Sequence, residues 1–161
     1  SAGNPAACGS YIARSGNTPP VSPSQGNDGG TAWNSPGSPA FVAAGGGGAS
    51  VVGVPGETPS NPTTSGNGGA GDTNSITGSP VIRAGGGGGG SYLTPQTRAG
   101  QGAGGSGGGG AGGYSNYPGP VICGVNGTIN TGGGAGGGGR CTDSAGGTGG
   151  SGIVIIRYKF Q

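Results

Sequence analysis

The chain has 161 residues, of which 49 are glycine and 13 proline, and only 6 % are charged. Its net charge of +2 sets six basic residues against four acidic ones, and the basic residues are scattered singly, which excludes a phosphate-tracking patch for nucleic acid. The longest run of large apolar residues, 153–156, is far short of the ~20 residues needed to cross a bilayer as a helix.

Residues 1–25 read as a polar, Pro/Ser-rich N-terminal arm carrying Cys8, ahead of a glycine-rich repeat domain over residues 26–161. The first residue is not methionine, as expected of a processed chain or a piece of a longer one. The repeat domain opens on Gly26-Asn27-Asp28-Gly29-Gly30, and the same marker returns as Gly66-Asn67-Gly68-Gly69. Ser38-Pro39-Ala40-Phe41-Val42 leads into Gly45–Gly48. Ser79-Pro80-Val81-Ile82-Arg83 leads into Gly85–Gly90, and Gly119-Pro120-Val121-Ile122-Cys123 precedes a run that starts at Gly132. Pro39, Pro80 and Pro120 therefore recur about every 40 residues. A fixed period of this size predicts stacked repeats.

Each unit reads as a turn, a short apolar strand, a glycine run and a polar insert. The inserts are residues 54–65, 91–99 and 114–119, whose prolines and asparagines mark them as loops. Trp33, Tyr92, Tyr114 and Tyr117 lie in or beside them. Two readings stand for these aromatics: rings that stack on a recognised surface, or rings that cover the ends of a glycine bundle or seal a subunit contact.

No stretch is free of glycine and proline for long enough to nucleate a helix. Glycine and proline together reach about 39 %, in the range where sequence without order is usual. The large apolar side chains are too few to fix the backbone by themselves, so order requires backbone hydrogen bonds and close glycine packing. Within the linking segments glycine keeps a period of three: Ala145, Thr148 and Ser151 are each followed by glycine. Three residues per turn is the polyproline-II geometry, which has no internal hydrogen bonds. Without Cβ atoms such helices can approach and bond sideways. The fold class expected is irregular to all-β without α-helix: a bundle of polyglycine-II helices with short strands, in repeats of about 40 residues.

Cys123 and Cys141 flank one glycine-rich loop and are expected to pair, worth about 3 kcal/mol in the chain-entropy model. Reduced thiols are the alternative. Cys8 is then left free or bonded to another chain. The chain closes on Ile153-Val154-Ile155-Ile156-Arg157-Tyr158-Lys159-Phe160. Alternation puts Val154, Ile156, Tyr158 and Phe160 on one face and Ile153 and Ile155 on the other, predicting a strand over 153–160 that must be paired within the chain or by another.

Gly149-Gly150-Ser151-Gly152-Ile153-Val154-Ile155-Ile156-Arg157-Tyr158, together with the Gly-Asn-x-Gly-Gly marker and the apolar triplets before glycine runs, resembles the glycine-rich domains that close many bacteriophage tail-fibre and related surface proteins. The resemblance spans roughly residues 26–161. It implies stacked polyglycine-II helices with variable loops at one end that bind a host receptor, as in some tail-fibre tip adhesins.

The chemistry of an enzyme is not legible. Histidine is absent, which removes most triads and zinc sites. Gly66-Asn67-Gly68-Gly69-Ala70-Gly71 fits a dinucleotide fingerprint, but no helix follows it and no Gly-Lys-Ser/Thr occurs. Asp28, Glu57, Asp72 and Asp143 are isolated, and Asp72 falls one residue early for a Gly-rich calcium repeat. Asn126-Gly127-Thr128 matches a glycosylation acceptor and reads better as a plain turn. No cofactor, metal or membrane insertion is expected. The expected function is a non-enzymatic structural protein that self-associates, through polyglycine-II packing and strand pairing, into an extracellular or virion-surface fibre. The alternative is a receptor-binding adhesin tip whose loops read a host glycan or protein. Ice binding is less favoured, because no face carries a regular row of threonines.

Overall fold

The computed structural model describes residues 9–11, 13–34, 41–56, 64–93, 100–116, 119–139 and 145–159. Among them there is no helix. Short strands form instead: β1 Gly9–Tyr11, β2 Ala32–Asn34, β3 Phe41–Val42, β4 Asp72–Asn74, β5 Val81–Arg83, β6 Ser91–Leu93, β7 Tyr114–Asn116 and β8 Val121–Ile122. The apolar groups after Pro39, Pro80 and Pro120 are β3, β5 and β8. One sheet has the order β1-β2-β3-β6-β7-β8, and β4-β5 is a separate hairpin. Pairing in the larger sheet is antiparallel except between β6 and β7, which run parallel.

Between the two sheets the chain runs to and fro in glycine-rich passes, and the run Gly85–Gly90 is buried at their centre. Gly85, Gly88 and Ser91 donate N–H to the carbonyls of Gly107, Gly110 and Gly113. Gly86 and Gly89 donate to Gly69 and Gly66. The carbonyls of Ala84, Gly87 and Gly90 accept from Ala49, Gly46 and Ala43; those of Gly85 and Gly88 accept from Gly134 and Gly137; those of Gly86 and Gly89 accept from Gly105 and Gly102. Bonds to any one neighbouring pass recur every third residue, so successive peptides face different neighbours.

The missing side chains obey the same beat. A Cβ at Gly85 or Gly88 would strike the carbonyl of Gly105 or Gly102. One at Gly86 or Gly89 would strike Gly46 or Ala43, and one at Gly87 or Gly90 would strike Ala135 or Gly138. Three neighbouring passes thus fill the space on three sides in turn. The buried hydrophobic side chains among the described residues are small ones, Ala32, Val42 and Ala44. The core is made of peptide groups, most of which bond to another pass.

The markers 40 residues apart are not stacked equivalents. Asn27 and Gly30 donate to Gly48 and Gly45, antiparallel to that pass, whereas Gly66 and Gly69 donate to Ala43 and Gly46, parallel to it. The described passes 26–34, 41–48, 51–56 and 64–71 alternate in direction, so the second marker runs opposite to the first. Within the expected arm of residues 1–25, the described residues 9–11 and 13–25 lie at an edge of the fold. β1 pairs with β2, Gly29 N–H donates to the Arg14 carbonyl at 3.1 Å, and Gly16 N–H donates to Asp28 Oδ1 at 2.7 Å. Finally, residues 151–159 carry no strand within the single chain. The last pass is anchored at Ser151, and among the described residues no backbone bond is made beyond it; Phe160 lies outside them.

Candidate recognition surface

The bundle has two unlike poles. At one stands the six-stranded sheet, and there the described chain departs at Asn34, Gly56, Leu93, Asn116 and Gly139 and returns at Phe41, Thr64, Gly100, Gly119 and Ala145. Backbone bonds tie these points together. Gly56 N–H donates to Thr31 at 3.1 Å, Ser65 N–H to Gly100 at 2.9 Å, Gly113 N–H to Gly137 at 2.7 Å and Gly124 N–H to Ala145 at 3.0 Å. The described ends of the three inserts expected at 54–65, 91–99 and 114–119, far apart in sequence, therefore meet at one pole.

The aromatic candidates follow. Trp33 is in β2, Tyr92 in β6 and Tyr114 in β7. The register aligns Trp33 with Val42, Val42 with Ser91 and Ser91 with Tyr114, one cross-strand row through four strands. Tyr92 lies in the next row, beside Phe41 and Ser115. Tyr92 and Tyr114 are half-buried, while Ser91 and Ser115 between them are buried. Small side chains there let neighbouring strands sit against the glycine core and leave the rings at its rim. Tyr117 lies outside the described residues.

Cys123 follows β8 at this same pole and is exposed. Cys8 and Cys141 lie outside the described residues, so the expected pairing is carried no further than position. Ala145, four residues after Cys141, is bonded to Gly124, directly after Cys123.

The opposite pole is closed by turns that bond to themselves. Gly107 and Gly108, both at φ +96, make the 106–108 turn in a conformation that disfavours any Cβ, and a Cβ at Gly108 would also strike the Thr131 side chain. The 17–25 loop is gathered by Asn17, whose Oδ1 accepts N–H from Val21 and Gln25 and whose Nδ2 donates to the Val21 carbonyl. The β4–β5 hairpin and the 129–132 turn complete this end. Ser151 anchors the last pass there: its carbonyl accepts from Gly132 and its Oγ from Asn130 N–H.

Sequence reasoning missed the work of the asparagines. Asn67 Oδ1 accepts the Ala103 N–H while Gly68 N–H donates to the Ala103 carbonyl. Asn126 and Gly127 do the same to Thr148. The shared signal was the Asn-Gly pair at the head of a pass. It turns Asn126-Gly127-Thr128 from an acceptor pattern into a lattice bond.

Among the described residues no group of three or more His, Cys, Asp and Glu could hold a metal ion, and no described helix is long and apolar enough to cross a membrane.

A family model described as a glycine-rich domain matches residues 1–159. The chain belongs to that family. The match runs across both the expected arm and the expected repeat domain, so this glycine-rich domain takes in β1 as well as the passes. No curated protein and no solved structure matches the chain.

Proposed function

We propose that this glycine-rich domain is a non-enzymatic recognition module: a bundle of polyglycine-II helices that holds loops at one pole against an extracellular surface. The observation that carries the reading is that the described ends of five connections, Asn34 and Phe41, Gly56 and Thr64, Leu93 and Gly100, Asn116 and Gly119, Gly139 and Ala145, stand at the pole that bears Trp33, Tyr92 and Tyr114. A rigid frame with loops clustered at one end is the common arrangement for binding, because the frame absorbs the folding constraint and leaves loop sequence free. The three-residue beat of bonds around Gly85–Gly90 supports polyglycine-II geometry for the frame. The resemblance to tail-fibre tip domains gives the reading its setting: the virion surface, with a host-cell glycan or protein as partner.

A purely fibre-forming role draws less support from the glycine runs, because they bond to one another within one chain. Self-association has a separate basis in the exposed C-terminal segment, taken up below.

The test replaces Thr94–Thr97 by Gly-Ser sequence. The expected result is an unchanged melting temperature with altered or lost adhesion to host cells or to an array of their surface glycans. Unchanged adhesion across this change and equivalent replacements in 57–63 and 140–144, Cys141 retained, would overturn the loop reading.

A further inference from the structure

The four most exposed large hydrophobic side chains of the described protein are Val154 at 87 %, Ile156 at 83 %, Tyr158 at 81 % and Ile129 at 73 %. All four lie at the pole opposite the loops. Ile129 is in the turn beside Ser151, and the other three follow Ser151 directly. Apolar exposure of this density at one site marks an interaction surface rather than ordinary scatter.

The pattern of the segment selects its occupant. Val154, Ile156 and Tyr158 alternate with Ile155, Arg157 and Lys159, so an extended backbone would put the three exposed apolar residues on one face. The segment is also self-complementary. If two copies pair antiparallel about Ile156, Val154 of each stands opposite Tyr158 of the other, Ile156 opposite Ile156, and Ile155 opposite Arg157. The apolar face is then continuous across both chains, and no two like charges stand directly opposite. A one-residue slip would set Ile156 opposite Arg157 or Ile155 and break the apolar face, and a two-residue slip centred on Arg157 would set the two arginines directly opposite. The position in the fold allows it: Ser151 fixes the start of the segment at the short-turn pole, away from the loops.

We infer that residues 153–159 are a homodimerisation strand, pairing antiparallel with the same segment of a second copy across a two-fold axis. The contact is isologous and closes at two chains. Two bundles meet pole to pole, with Ile129 of each at the margin of the joint face and the loop poles pointing apart. Arg157 and its symmetry mate are diagonal neighbours in this arrangement, so their repulsion opposes pairing and salt relieves it. The inference is independent of what the loops bind.

Sedimentation of the full chain between about 1 and about 100 µM tests it. The expected result is a monomer–dimer equilibrium that tightens with added salt. Ile156→Lys should weaken dimerisation at least tenfold without changing the melting temperature of dilute monomer, since Ile156 touches little within its own chain. Mixing wild type with Arg157→Glu should give more heterodimer than the half expected of random pairing, because the diagonal contact becomes attractive. A chain that stays monomeric throughout, a dimer unaffected by Ile156→Lys, statistical mixing with Arg157→Glu, or open filaments instead of dimers would each overturn the proposal.

Discussion

The side-chain carbonyl of Asn67 accepts the backbone N–H of Ala103 at 2.8 Å, doing for one peptide what a main-chain carbonyl does elsewhere in the bundle. Asn126 repeats the relationship with Thr148, also at 2.8 Å. In each case the next residue, Gly68 or Gly127, donates to the carbonyl of that same partner. The pair clamps the head of one pass to another and fixes which residues face each other.

Asn67→Ala and Asn126→Ala are each expected to cost about 1 kcal/mol, the usual net worth of such a bond. The two clamps join different passes, so the double variant should lose close to the sum. Asn67→Asp keeps the acceptor and should stay near wild type. Denaturant unfolding of the four proteins checks all three statements.

Gly87→Ala should abolish folding. Its Cβ would lie against the Ala135 carbonyl, in a run buried among backbones that cannot step aside. Gly26→Ala is the control: nothing lies within 4 Å of a Cβ there. Circular dichroism and proteolysis should show an ordered Gly26→Ala protein and an unfolded Gly87→Ala protein.

Truncation after Gly152 should shift the melting temperature of dilute, monomeric protein by less than about 2 °C, because Val154, Ile156 and Tyr158 are exposed within the single chain. Ser151→Ala should cost more, about 1 kcal/mol, through the hydroxyl that accepts the Asn130 N–H. The order of the two effects, read by thermal melts, separates the anchor from the segment it releases.

Cys123 should be found linked to Cys141 after expression in an oxidising compartment. The bond from Gly124 to Ala145 holds the chain on either side of the two cysteines within a short reach. Non-reducing peptide mapping checks it; a link from Cys8 to either residue would contradict the pairing.

Composition alone set the class of this protein. With glycine at 49 of 161 residues, helices cannot nucleate and a side-chain core cannot form, so order had to come from peptide groups bonding between passes. The short strands after Pro39, Pro80 and Pro120 were legible too, because Phe41–Val42, Val81–Arg83 and Val121–Ile122 are local apolar clusters bounded by turn residues. Direction was not legible. Whether the marker at Asn67 runs with or against the one at Asn27 depends on counting reversals, and a glycine turn such as 106–108 looks in sequence like the glycine pass beside it. The tertiary structure decided that the described ends of three inserts, read one at a time along the chain, share a pole. It also decided that Asn126 belongs to the lattice and that Val154, Ile156 and Tyr158 find no cover in their own chain. A glycine carries no side chain to say which neighbour it will meet; only the assembled set of passes, with every third peptide facing the same partner, makes that choice.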